Sequence, residues 1–313
     1  MIRISRDYVT DCLKAGLEPV AYCESGDVAE FETRDCYDDN DITEDNPYGN
    51  HPGGLENPAT GPLYVRGAEP GNVLKVEILG IELREYGIMR TSVTDGAFHH
   101  LYEKKTARRF YFKKDETAGS YRISFDDKLT LDCDIMIGVI GTAPAGDGVI
   151  TITPGSHGGN MDCRKIGIGT TLYLPVNTPG ALLAMGDLHA LMGDGEMMIC
   201  GLETGGIVTV RVTVLKKAEA GYLWDALPLL DADGSLMTIQ SAETLDEAAK
   251  LAACRMQRLV AAVTGLDDVN SGMLMSLKGN LVICQIVNPL KTVRCEFPKE
   301  VLECYGSFSH SVV

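Results

Sequence analysis

The 313 residues suffice for one large domain or two modest ones, and 45% hydrophobic against 23% charged residues is a globular composition that excludes a disordered chain. With 44 acidic against 28 basic side chains the formal net charge is −16, which repels a phosphate backbone and argues against a nucleic-acid partner. No window reaches the length of an apolar membrane helix, and the opening MIRISRDYVTDCLKAG is broken by charges where a secretion signal would be apolar, so a cytoplasmic protein without a membrane partner is expected.

From Ile2 to about Ile150 short apolar runs alternate with turn signals such as Gly61-Pro62, Pro70-Gly71 and Asp95-Gly96. Residues 72–78 alternate in polarity and set Leu74, Val76 and Ile78 on one face of a strand. Further strands are expected at 121–125, 134–141, 171–174 and 206–214. The acidic run from Asp35 to Asp45 reads as a hydrated loop, and the basic cluster from Lys104 to Lys114 as a solvated strand and turn. Such even spacing of short strands favours a β-sandwich or barrel assembly. Helical period enters late. Thr244 and Glu247 stand at capping-box spacing, and Leu245, Ala248, Ala252, Met256, Leu259 and Val263 form an apolar stripe up to Gly265. A second helix should open at Asp267-Asp268, followed by the apolar run 281–287, which predicts a strand buried on both faces. The chain is accordingly divided into a β-rich catalytic region, 1–220, and a smaller α+β portion, 221–313.

Ten cysteines are present with no C-x-x-C pair, a spacing that suits neither a disulfide framework nor a structural zinc knot. Several sit among apolar neighbours, as Cys200 and Cys284 do, where a thiol acts as a small buried hydrophobe. Cys36 and Cys163 differ from the rest in standing beside candidate site residues, Asp35 and Asp162.

The densest polar cluster is Pro154-Gly-Ser-His-Gly-Gly-Asn-Met-Asp162, joined after a strand by the segment from Gly186 to Glu196. Residues two apart in an extended chain face the same way, so Asp187 and His189 can point into one site, and so can Asp194 and Glu196. One imidazole among several carboxylates suits Zn²⁺ or a related divalent ion, whereas all-oxygen ligation would suit Ca²⁺ or Mg²⁺. A divalent ion makes water nucleophilic at neutral pH, and an adjacent carboxylate can move its proton to a departing amine. The same residues admit a plainer reading: Asp194-Gly195 as a hairpin turn, and His189 as a hydrogen-bonded core residue.

TPGSHGGNMD and TTLYLPVNTPGALLAMGDLHALMGDGE resemble the signature of the acetamidase/formamidase family. ESGDVAEFETRDC, NPATGPLYVRGAEPGNVLKVEI and CQIVNPLKTVRCEFPKEV resemble it too, in the family's order and over nearly the whole chain. The resemblance implies a mostly β fold of jelly-roll-like sandwich with β-barrel parts and a small C-terminal α+β portion. It also implies a homo-oligomer and hydrolysis of formamide, acetamide or similar short amides to the acid and ammonia. The family's positions fall on Asp35, on His157, Gly158, Gly159, Asn160 and Asp162, and on Asp187, His189, Asp194 and Glu196. Chemistry then suggests Asp35, Asp162, Asp187 and His189 as metal ligands, with zinc favoured over calcium or magnesium. Glu196 is the general base, with His189 and Asp194 as further catalytic residues. His157, Gly158, Gly159, Asn160 and Met192 are expected to touch substrate, while His157 and Glu203 stand in reserve as ligands or their supports. Two departures bear on specificity: Met192 stands where the family usually has Gln, and Leu188 where it has Gly. The alternatives are a hydrolase of another non-peptide C–N bond and a non-catalytic β-sandwich binding a ligand through a divalent ion.

Overall fold

The computed structural model describes every residue except 52, 116 and 307–313. Alternation at a period of two, which turns one face of a strand inward, shapes its longest strands. In Gly206–Leu215, Val208, Val210, Val212 and Val214 are buried while their neighbours face outward. This strand pairs antiparallel with Val73–Leu83, which extends beyond the 72–78 expected and buries Leu74, Val76 and Ile78 as the pattern predicts.

Two nine-stranded sheets carry the fold. The first runs, in spatial order, through Ile2–Ile4, Val28–Thr33, Gly206–Leu215, Val73–Leu83, Thr171–Pro175, Leu229–Ala232, Ser235–Ala242, Lys291–Pro298 and Asn280–Gln285. The second is centred on Met136–Gly141 and Leu183–His189, with Gly158–Asn160 beyond the former and Glu203–Thr204, Tyr86–Arg90 and Ala107–Tyr111 beyond the latter. Phe31, Val76, Leu172 and Val210 of the first sheet share a core with Leu63, Ile137, Ile140, Met185 and Leu188 of the second, which is sandwich packing. Among the described residues neither sheet closes on itself, so the barrel parts expected from sequence are open sheets instead.

The first sheet continues past residue 220 through Leu229–Ala232, paired to Thr171–Pro175. On this extension lies the helix Leu245–Thr264. Thr244 caps it by accepting a hydrogen bond from the Glu247 N–H, Gly265 ends it at φ 71°, and Ala248, Ala252, Met256, Leu259 and Val260 form its buried face. The second helix, Asp268–Lys278, is capped by Asp267 as expected. The run after it corrects the sequence reading. Asn280–Gln285 is an edge strand paired to Lys291–Pro298, so Leu281 (54% exposed) and Ile283 (40%) face outward while Cys284 is buried.

Candidate functional site

Asp187 and His189 end the strand Leu183–His189 in the middle of the second sheet, and both are almost wholly buried. They converge as two-residue spacing predicts, although Asp187 is left-handed at φ 57° rather than extended. His189 Nε2 lies 3.6 Å from Asp187 Oδ1, 3.8 Å from Asp162 Oδ1 and 3.2 Å from Glu203 Oε1. Around this imidazole two sets of donor atoms gather, Asp162 with His189 and Glu196, and Cys36 with Asp187 and Glu203; all six side chains are buried. Asn57, Asp162 and Glu196 are also left-handed, with φ of 48°, 45° and 47°, and Ile199 has φ 126°. Each such non-glycine residue costs about 1–3 kcal/mol, and five of the eleven among the described residues stand at this cluster.

Amides surround the acids. Asn57 Nδ2 donates to Asp187 Oδ2 at 2.9 Å, and Asn288 Nδ2 donates to Asp162 Oδ2. The Asn160 amide, with its nitrogen turned toward the carboxylates, donates to Asp187 Oδ2 at 2.9 Å. Gly138 makes the closeness sterically feasible: a Cβ there would stand 2.6 Å from both Asp162 Oδ1 and Asp187 Oδ2.

Burial dominates the electrostatics. It raises the Asp187 carboxyl to about 6, with Glu203 adding to the effect, and raises Asp162 to about 6, with Asp187 adding. Glu196 is held well above the ordinary carboxylate range by burial and then by Asp162. For His189 burial alone would lower the pKa, but the Glu203 and Asp187 carboxylates drive it well above its usual value. Cys36 is likewise pushed up by burial and by Glu203, so without a cation it is a thiol. Asp187 Oδ1, Glu196 Oε2 and Glu203 Oε2 are buried without a hydrogen-bond partner. Buried anionic oxygens left uncompensated are costly, so this donor set fits a divalent cation.

The cluster floors a cavity of about 570 Å³ into which Asp187, Glu196, Glu203, Cys36 and Asn160 open. Asp162 and His189 lie just beneath, in contact with that floor but not lining the cavity. Asp35 takes a different place from its expected one. Its Oδ1 accepts from the N–H groups of Tyr37 and Asp39, both at 2.9 Å, and so fixes the turn that delivers Cys36 to the cluster. Asp194 is also drawn away, because Gly195 at φ 105° breaks the extended geometry that would have aligned it with Glu196. It pairs instead with buried Arg294, with Nη2 to Oδ2 at 2.9 Å and a second, shorter contact from Nη1.

His157, Gly158 and Gly159 do not line the cavity. The two glycines pack against Ile140 and Thr153 carbonyls, where a Cβ would fall within 2.5 Å, and burial lowers the His157 pKa to about 4. Met192 touches His189 rather than the cavity. Sequence reasoning missed Asn57 and Asn288. Each stands in an Asn-Pro pair, a turn signal that gives no hint of a site.

Residues 145–234 match the profile of the Acetamidase/Formamidase family. The crystal structure of an acetamidase from Bacillus halodurans is 42% identical and superposes with a TM-score of 0.90, covering 98% of this chain and 100% of that one. A predicted acetamidase/formamidase from Thermoanaerobacter tengcongensis is 38% identical at a TM-score of 0.89, covering 97% of this chain and 98% of its own. A putative formamidase of Schizosaccharomyces pombe is 28% identical over 214 residues, and the chain spans only about half of that relative, 51% of its length. Sandwich, buried acid–imidazole cluster and a full-length structural match at 42% identity together place this chain in the acetamidase/formamidase family.

Proposed function

We propose that this protein is an amide hydrolase releasing ammonia and a carboxylic acid from a linear amide of the formamide or acetamide type. The observation that carries this reading is the buried acid–imidazole cluster, with unpartnered oxygens of Asp187, Glu196 and Glu203, at the floor of a cavity. Asp162, Asp187 and His189 would hold a divalent ion, zinc by preference, with Asn57, Asn160 and Asn288 orienting the carboxylates. Bound there, the ion would supply Lewis-acid polarisation and ease the deprotonation of water.

The chain's own groups account for the proton traffic. Glu196, buried and open to the cavity, takes a proton as water attacks the amide carbon, then returns it to the nitrogen as the C–N bond breaks. A carboxylate whose pKa burial raises is suited to both halves of that task. Glu203 accepts from the Gly201 N–H at 3.0 Å and holds His189 through the same Nε2 that faces Asp162 and Asp187. All ten cysteines are free thiols, which supports the cytoplasmic assignment, and the homo-oligomer rests on family likeness.

The test is ammonia release from formamide, acetamide and propionamide by protein purified without chelator, with its metal content measured. Release that chelation abolishes and zinc restores supports the reading. Metal-replete protein that frees no ammonia from any amide sinks it.

A further inference from the structure

The cavity is much larger than the amides just named. Acetamide, with four heavy atoms, fills on the order of 120 Å³ at about 30 Å³ per water-sized unit, whereas the cavity holds about 570 Å³. Its wall also differs in charge from its floor. Arg90, Lys105 and Lys291 line it, all half-buried. The Arg90 guanidinium lies over the Tyr37 ring, 4.1 Å from its centroid, and Lys105 Nζ lies 5.4 Å from the Tyr48 centroid. Lys291 Nζ donates to the Asn288 carbonyl at 2.6 Å.

Among the described residues none of these three cations makes an ion pair. In a chain with 44 carboxylates against 28 basic groups this is not for want of acids. The acids that do reach the mouth, Glu56 and Asp95, are exposed, and Asp95 already accepts from the Ser92 and Thr94 hydroxyls. Water screens exposed carboxylates far more than it screens half-buried cations. Burial and then the Arg90 charge lower the Lys105 pKa, while Glu56 and Asp95 raise it, so the acids at the mouth offset the repulsion between the two cations only in part. Arg90 and Lys105 therefore stand together on the wall of a cavity whose reactive groups are on its floor, a pairing that favours an occupant with an anionic end.

We propose that the cavity takes primary amides whose acyl chain ends in a carboxylate, the half-amides of dicarboxylic acids. The amide carbon then rests over Glu196 and the terminal carboxylate against Arg90 and Lys105. This rests on the amide-hydrolase reading. Water adds to the amide carbon, the C–N bond breaks, the proton passes to the leaving nitrogen, and a dicarboxylate and ammonia result.

The experiment compares kcat/KM for succinamate and glutaramate with that for the neutral butyramide and valeramide, in the metal-loaded wild type and in the Arg90→Gln and Lys105→Gln variants. Circular dichroism checks that each variant folds. Charge-assisted contacts of this kind predict at least a fivefold preference for the half-amides, falling at least fivefold in one variant or the other. A smaller preference in the wild type, or one that both variants keep, overturns the proposal. If no amide yields ammonia, the hydrolase reading fails, and calorimetry with succinate and butyrate decides the wall separately. Succinate binding at least fivefold tighter than butyrate and weakened in Arg90→Gln supports an anion-selective wall; equal binding of the two acids overturns it.

Discussion

Met192 presents its thioether sulfur to His189 Nδ1 at 3.3 Å, and both residues are buried. Sulfur accepts hydrogen bonds only weakly. With no better partner among the described residues, Nδ1 gains little basicity from this contact, and the opposite nitrogen, Nε2, is the one turned toward the carboxylates. An oxygen acceptor in place of the sulfur would hold the ring more firmly and raise its strength as a ligand. The Met192→Gln variant is therefore expected to retain metal more tightly, by up to about tenfold. Competition with a zinc chelator measures it, and weaker retention would show that the sulfur contact is already optimal.

Glu196 and the metal ligands can be separated by a conservative change. Glu196→Gln keeps the shape but removes the proton acceptor, so ammonia release should fall by about 10²–10⁴. Metal content should remain at the wild-type level, since Asp162, Asp187 and His189 are intact. A variant that loses its metal along with its activity would make Glu196 a ligand instead, as its place beside Asp162 and His189 also permits.

Asp194 tests a structural role. Arg294 is 2% exposed and leans on both Asp194 and Glu296, while Asp194 is 26% exposed. Breaking a fully buried pair costs about 3–5 kcal/mol. The partial exposure of Asp194 and the surviving Glu296 contact reduce the expected loss for Asp194→Asn to about 2 kcal/mol. Urea unfolding reads the loss, and turnover per folded molecule should fall less than tenfold. A hundredfold fall with unchanged stability would return Asp194 to the catalytic set.

Gly138→Ala addresses the space between two acids. The added methyl would meet Asp162 Oδ1 and Asp187 Oδ2 at 2.6 Å and the Asp187 backbone carbonyl at 2.8 Å, and a backbone atom in a paired strand cannot swing aside as a side chain can. Overpacking of this kind costs about 1–3 kcal/mol, and metal binding and activity should both be lost. Full metal content in the variant would mean that the two carboxylates do not converge on one ion.

The pH dependence of stability has two opposing parts. Burial lowers the His157 pKa from 6.5 to about 4, so the unfolded chain binds the proton first as pH falls. Its contribution is complete above about pH 6.5 and is lost toward pH 4, amounting to about 3 kcal/mol. Asp162 and Asp187, raised to about 6 chiefly by burial, act the other way. In metal-free protein they disfavour folding above pH 6 and cease to do so as pH falls toward 4. The difference between wild type and His157→Asn isolates the first part. Parallel stability curves from pH 7 to 4.5 would contradict the neutral buried imidazole.

Alternation and capping residues were sufficient to locate the strands through Leu74, Val76 and Ile78 and through Val208 to Val214, and the helix from Thr244 to Gly265. These are local consequences of period and cap. Spacing also brought Asp187 and His189 together, and likeness to the acetamidase/formamidase family marked Asp162 and Glu196. What sequence could not decide depended on contacts across the chain or on backbone handedness. Asn57 reaches Asp187 across 130 positions and Asn288 reaches Asp162 across 126, separations at which no local pattern survives. Asp35 lay beside the right residue, Cys36, but spends its carboxylate on its own turn. Asp194 was lost to the site because a left-handed glycine reversed the chain, and a buried arginine 100 positions away took its charge. The sequence by itself determined which segments are strands and helices and which few acids and imidazole are available for chemistry. Only the tertiary structure decided which of them share a buried floor, because that depends on strand partners, positive φ angles and the space left by Gly138.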